Sequence, residues 1–143
     1  MSEVLFECSF DVSKHFSQKN TKRIFRNRLV QDPKEQHHKN YLIQKMILAR
    51  LKNKLDEPIS CDINLSISFI FPKSVYFTKK NQRSKKLPDL SNLIQGPEDA
   101  LIKARIIEDD TQVISLDGCQ RIAGEAYRIV LTITKANDYS YLD

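Results

Sequence analysis

The residues best suited to chemistry lie between Leu87 and Val113. Asp89 follows a stretch rich in lysine and arginine and opens an apolar-periodic segment. Its carboxylate therefore falls where the free N–H groups and the dipole of a helix start favour negative charge, and its ordinary role there is an N-cap. Asp109 and Asp110 stand side by side in a turn before a strand, where adjacent acids are ordinarily solvated. In combination the three point elsewhere. A metal ion that activates water against a phosphodiester takes oxygen ligands from separate chain segments, beside a basic surface that holds the phosphates.

Two acid-free segments supply such a surface. Lys14 to Arg28 includes Lys19, Lys22, Arg23 and Arg26, interrupted by Phe16 and Phe25, and reads as a mobile basic loop. Lys73 to Lys86 includes Lys79, Lys80, Arg83, Lys85 and Lys86, with Tyr76 and Phe77 among them, and runs almost directly into Asp89. Cations interleaved with aromatics suit nucleic acid, the cations on phosphates and the rings wedged or stacked at open bases. The plain alternative is a pair of solvated charged loops. The net charge of +5 favours a polyanionic partner without specifying one.

Other chemistries find less support. His37-His38 have no acidic or cysteine partner at helical spacing and read as part of a solvated face. Ser60, Ser66 and Ser68 accompany no histidine in a nucleophile arrangement, and three glycines do not make a phosphate-cradling loop. Cys8, Cys61 and Cys119 are far apart, without a CxxC pair, which argues against zinc or a disulfide framework.

The elements that must position these residues are legible from periodicity. Val4, Phe6, Cys8, Phe10 and Val12 alternate with polar neighbours, as in a strand with one buried face. Asp32-Pro33 starts a long helix with a stripe of Tyr41, Leu48, Leu51 and Leu55, widened by Ile43 and Ile47, ending near Asp56. Cys61 to Phe71 is the cleanest strand, with Ile63, Leu65, Ile67, Phe69 and Phe71 facing one way. Asp89 opens a second helix, which Gly96-Pro97 should kink or split. Gln112 to Leu116 and Ala126 to Thr134 follow as strands, joined by a connection punctuated by Gly118 and Gly124.

This order predicts an α+β fold, a mixed sheet of about four strands with helices packed on one face. A chain of 143 residues holds one core, so residues 1–136 read as a single domain and 137–143 as a loose tail. No apolar run reaches the ~20 residues of a membrane span and the amino terminus does not have the order of a signal peptide, so the expected location is cytoplasmic.

The stretch Leu87-Pro88-Asp89-Leu90-Ser91-Asn92-Leu93, followed by Glu98-Asp99-Ala100-Leu101 and then Glu108-Asp109-Asp110-Thr111-Gln112-Val113, resembles the signature of the RusA family of Holliday junction resolvases. That pattern runs from a basic residue or proline into Asp-Leu-Asp-Asn-Leu, a lysine one turn on, Asp-Ala-Leu, and after a short turn Asp-Asp-x-Gln-Val. The Lys19-Asn20-Thr21-Lys22-Arg23 segment is similar to phage-borne relatives. The resemblance implies a homodimer that binds four-way DNA junctions and cuts them symmetrically with magnesium, manganese being able to take its place. It assigns Asp89 and Asp110 to acidic catalytic, metal-binding positions, Asp109 to the acid beside the latter, and Asn92 to the asparagine after the paired aspartates, with Asp99 nearby.

Two positions depart from the pattern. Ser91 stands where the family has a second aspartate, and Gln95 where it has its lysine. Serine is a neutral, monodentate and poorer magnesium ligand, and glutamine lacks the charge to stabilise a phosphorane. Glu98 lies about 10 Å beyond Ser91 along a straight helix, so it replaces the carboxylate only if the Gly96-Pro97 break folds it back. Three functions follow: a junction-resolving endonuclease, a junction-binding accessory protein weakened in catalysis, and an RNA-binding module that needs only the basic segments.

Overall fold

The computed structural model describes residues 3–17, 22–25, 28–31 and 33–136, with backbone alone for the two segments within 22–31. Its element order is β1 (Val4–Asp11), β2 (Lys22–Phe25), β3 (Arg28–Gln31), α1 (Pro33–Lys52), β4 (Ile63–Pro72), α2 (Lys73–Tyr76), α3 (Leu90–Lys103), β5 (Val113–Ser115), β6 (Gln120–Gly124) and β7 (Arg128–Lys135). The Asp32 cap and the 137–143 tail expected from the sequence lie outside the described residues.

β4 is the centre of a mixed five-stranded sheet. β7 pairs antiparallel along one edge of it, with β1 antiparallel beyond. Along the other edge β5 and β6 both run parallel to β4, one after the other, at Ile63–Asn64 and at Ser68–Pro72. The expected four strands are thus four positions across the sheet, the last shared by two short strands. β6 is the strand that the sequence reading missed. Its half-buried residues lack clean alternation, and parallel pairing to a distant strand leaves no local signal.

Between β5 and β6 the chain must step away from β4, and Ser66 faces that step. Its hydroxyl donates to the Asp117 carbonyl at 2.7 Å. Gly118 has φ +90, and a Cβ there would sit 2.9 Å from Ser66 Oγ, so both backbone and space require glycine.

The inward residues of β4, Ile63, Leu65, Ile67, Phe69 and Phe71, are buried as predicted, together with Phe6, Phe10, Ile129, Leu131 and Ile133 of the neighbouring strands. Both long helices share this core. On the opposite face β1 and β7 present polar groups, among them Arg128, which donates to Asp11 at 2.7 Å and to Ser9 at 2.9 Å.

α1 uses a different face from the one predicted. The buried line is Glu35, His38, Leu42, Met46 and Ala49, whereas Ile47, Leu48 and Leu51 are exposed, Leu51 by 70%. The buried line includes a histidine, a glutamate and an alanine, so hydropathy alone favoured the wrong stripe. The helix also stops at Lys52 rather than near Asp56. Lys54 turns to φ 56, and Arg50 donates to the Leu55 and Asp56 carbonyls. Just beyond the helix, the Asn53 amide donates to the Glu7 carbonyl at 3.0 Å and accepts from the Glu7 N–H at 3.2 Å, acting as a one-residue strand on the free edge of β1.

Two further expectations are corrected. The basic segment read as a loop contains an antiparallel two-stranded ribbon, Lys22 opposite Gln31 and Phe25 opposite Arg28. His38 is buried rather than solvated, its ring 4.4 Å from that of Phe16, so Phe16 is used in packing. His15, also buried, bonds the Ile70 carbonyl through Nε2 at 2.7 Å and packs edge-on against Phe69, Phe71 and Tyr127.

Burial, reinforced by the charges of His15 and His37, lowers the His38 pKa to about 4 from its ordinary 6.5. The unfolded chain therefore takes up a proton below pH 6.5 that the folded chain refuses until about 4. Stability contributed by neutral His38 is complete above that window and falls as pH drops through it, by about 2–3 kcal/mol. Thermal unfolding at pH 7.5 and 4.5 should show a smaller drop in Tm for His38→Phe than for the parent chain.

Candidate functional site

α3 carries one wall of the site. Asp89 occupies its N-cap position, with φ −63 and ψ 138, and its carbonyl accepts from the N–H groups of Asn92 and Leu93. Its side chain makes no capping hydrogen bond, so the ordinary explanation for an aspartate at this position does not apply. The helix then runs unbroken through Gly96 and Pro97, contrary to the expected kink or split. Both residues are buried, as are Leu93, Ile94, Ala100 and Leu101, and this packing outweighs the hydrogen bond lost to proline.

An unbroken helix puts Ser91, Gln95 and Glu98 on one face, at spacings of four and three. With Leu90, Ile94, Leu116 and Cys119 they line a cleft of about 370 Å³. Asn92 and Asp99 are outside this lining, and Asp99 forms an i,i+4 ion pair with Lys103 at 3.1 Å.

The opposing acids stand on a turn held by one buried side chain. Gln112 closes a short 3-10 helix, Asp110–Gln112, and is 7% exposed. Its Nε2 donates to the carbonyls of Ile59 and Cys61 at 2.7 and 2.9 Å, and its Oε1 accepts from the N–H groups of Glu108 and Asp109 at 2.6 and 2.9 Å. Both donors and the acceptor of the amide are used. The turn is thereby bound to the segment that leads into β4, and Asp109 and Asp110 are presented outward. The sequence contained this glutamine; its role as the anchor of the turn was not legible there.

The electrostatics of the turn is that of crowded carboxylates. Asp109 accepts from the Thr111 hydroxyl at 2.8 Å, and hydrogen bonds to Thr111 and Asp110 hold its pKa down. Asp110 shares a hydrogen bond with Asp109 and is pushed up by it and by the charge of its neighbour. Glu98 is raised by burial, then by the charges of Asp110 and Asp99. Asp110 thus acts on Glu98 without any fold-back of the helix, because the turn after α3 returns along it. Asp89 stands nine residues before Glu98, roughly 13 Å along the helix axis. Among the described residues no three His, Cys, Asp or Glu side chains form a group that could hold a metal ion. Asp109 and Asp110 share a hydrogen bond, and the charge of Asp110 reaches Glu98.

Basic groups surround the start of α3. The segment from Tyr76 to Ser84 turns back on itself, with Phe77 bridged to Arg83 and Asn81 at φ 57. This exposes Lys79, Lys80 and Arg83, with Lys85 and Lys86 exposed beyond, before buried Leu87 returns the chain to the core. Tyr76 packs on Phe71 and Phe77, leaving Phe77 as the exposed ring of the pair. Lys19 and Arg26 lie outside the described residues; Lys22 and Arg23 lie on β2, whose side chains are also outside them. Arg121 of β6, which the sequence reading passed over, donates from Nη1 to the Pro88 carbonyl at 2.9 Å.

Gln112→Glu tests the anchoring of the acid turn. A carboxylate of the same shape presents oxygen to two carbonyls and buries a charge, so the loss should reach about 3–5 kcal/mol. Chemical denaturation measures it. Thr111→Ala, which changes the exposed side of the same turn, should cost less than about 1 kcal/mol.

A search of the curated proteins finds no match. A family model described as Endodeoxyribonuclease RusA matches residues 10–134, a span that contains every described element from β4 to β6, with both the α3 cleft and the acid turn. The chain belongs to the RusA family of endodeoxyribonucleases, Holliday junction resolvases.

Proposed function

We propose that this chain is a magnesium-dependent, structure-selective endonuclease that resolves four-way DNA junctions as a homodimer during recombination and repair in the cytoplasm. The observation that carries the proposal is the turn locked by Gln112, which holds Asp109 and Asp110 outward, with the charge of Asp110 reaching Glu98 of α3, in a chain of this family. Manganese is expected to substitute for magnesium.

The donor set suits a hard cation. Magnesium is held through oxygen, commonly by one or two carboxylates with water completing its shell, so a closed cage of three acids is not required. Carboxyls raised by a neighbouring negative charge, as Asp110 is by Asp109 and Glu98 in part by Asp110, are also those whose repulsion a divalent cation relieves. Asp110 with Asp109 would hold the ion, joined by Asp89 from the start of α3, and the charge of Asp110 also reaches Glu98. When bound, the ion supplies Lewis acidity toward a phosphodiester. The protein's own part is to keep the acid turn rigid, to offer carboxylates as proton acceptors, and to hold the DNA by its phosphates through Lys79, Lys80, Arg83, Lys85 and Lys86, joined by Lys19, Lys22, Arg23 and Arg26.

Ser91 and Gln95 favour a second reading. Both line the cleft, and both are neutral, so a junction-binding accessory protein with little turnover fits the same geometry. The RNA-binding alternative has no observation in its favour.

Incubation with a synthetic four-way junction and magnesium should give paired nicks, and Asp110→Asn should lower the rate by about 100-fold or more while junction affinity changes less than about threefold. A parent chain that binds the junction yet leaves it intact, at any magnesium or manganese concentration, removes the nuclease reading. The double substitution Ser91→Asp with Gln95→Lys then separates the alternatives. A weakened enzyme should gain metal-dependent cleavage by about 10-fold or more; an unchanged rate indicates a site built differently.

A further inference from the structure

Arg121 is placed differently from the other cations near α3. Lys79, Lys80, Arg83, Lys85 and Lys86 are exposed on the excursion before the helix, whereas Arg121 is half-buried on β6, opposite Phe69 of β4. Its carbonyl lies 3.4 Å from the Tyr76 hydroxyl, and its Nη1 is fixed on the Pro88 carbonyl, one peptide from Asp89. Cys119, two residues earlier, lines the α3 cleft with Ser91, Gln95 and Glu98. Residues in register on neighbouring strands share a face, so Arg121 projects with buried Phe69 to the helix side of the sheet, where its bond to the Pro88 carbonyl sets it at the start of α3.

The contacts of Arg121 leave its charge unexplained. Among the described residues no carboxylate is within ion-pair distance of it. A guanidinium has five N–H donors, and the one used on Pro88 could be supplied by a neutral amide. Partial burial of a cation costs free energy that a carbonyl only partly offsets, and an anion would offset the rest. The other polar side chains that line the adjacent cleft, Ser91, Gln95 and Glu98, are neutral or acidic, so an approaching phosphate meets no cation among them.

We infer that Arg121 holds a backbone phosphate of the DNA at the Pro88–Asp89 end of the α3 cleft. The planar fork presents paired N–H groups to two phosphate oxygens, and the bond to Pro88 fixes its orientation before DNA arrives. The exposed lysines contribute general affinity, while Arg121 sets which phosphate lies beside the acids. The inference rests on the junction-nuclease reading, and binding without metal tests it apart from cleavage.

The experiment follows junction affinity by fluorescence anisotropy across a salt series, in EDTA, for the full chain and for Arg121→Gln and Arg121→Lys. Both variants keep a donor for the Pro88 carbonyl. Arg121→Gln should weaken binding by about 5–10-fold at low salt and reduce the steepness of log affinity against log salt by about 0.9, the signature of one lost phosphate contact. Arg121→Lys should keep the parental slope and lose about threefold in affinity with the fork. Equality of Arg121→Gln and the parent in slope and affinity overturns the inference. If Arg121→Gln has no cooperative thermal transition, equality of Arg121→Lys and the parent in both quantities overturns it instead. Failure of the parent to bind the junction at all refutes this inference together with the reading beneath it. A parent that binds but does not cut under magnesium refutes only the nuclease reading, and the slopes still decide Arg121.

Discussion

Because β4 is bonded along both of its edges, to β7 on one side and to β5 and then β6 on the other, its backbone has no freedom of register. A slip of one residue would move Ile63, Leu65, Ile67, Phe69 and Phe71 from the core to the opposite face. Both long helices pack over that line of side chains, and the chain between α3 and β5 must return to the beginning of β4 to start a parallel strand. The acid turn is placed by this return. Gln112 completes the connection by tying the turn to Ile59 and Cys61, immediately before β4 begins.

The site therefore has a rigid side and an open side. The turn is fixed through the Glu108 and Asp109 N–H groups taken up by a buried amide, and the exposed carboxylates of Asp109 and Asp110 bond only within the turn, to Thr111 and to each other. The α3 wall is fixed by burial of Leu93, Ile94, Ala100 and Leu101, which leaves Ser91, Gln95 and Glu98 facing the cleft. The cationic excursion before α3 is held at its two ends, by the Phe77–Arg83 bridge and by buried Leu87, while its lysines extend into solvent. Rigid acids beside adaptable cations suit a substrate whose chemistry is local but whose grip extends over several phosphates.

The neutral residues in the cleft have a structural counterpart. With Ser91 in place of a carboxylate, the acid of α3 that feels the charge of Asp110 is Glu98, two turns on, and its raised pKa follows from burial first and from Asp110 second. Arg121, fixed on the Pro88 carbonyl, sets a cation beside the Asp89 end of α3, while the charge of Asp110 acts on Glu98 further along the helix.

By itself the sequence determined the elements whose pattern is local. The strict alternation of β4 and the start of α3 at Leu90 follow from side-chain period and from the Pro88-Asp89 boundary, and the run Leu87 to Val113 resembled the family to which the chain belongs. What depends on distant partners was decided only by the tertiary structure. The buried face of α1 follows His38 and Met46 rather than the more apolar Leu48 and Leu51, because the packing of β1 and Phe16 selects it. α3 stays continuous through Pro97 because its apolar face is buried over its length, and β6 exists because β4 offers it an edge. Glu98, Gln112 and Arg121 acquired their places for the same reason. Each interacts with a residue far away in sequence or across a turn, and neither propensity nor spacing along the chain carries such interactions.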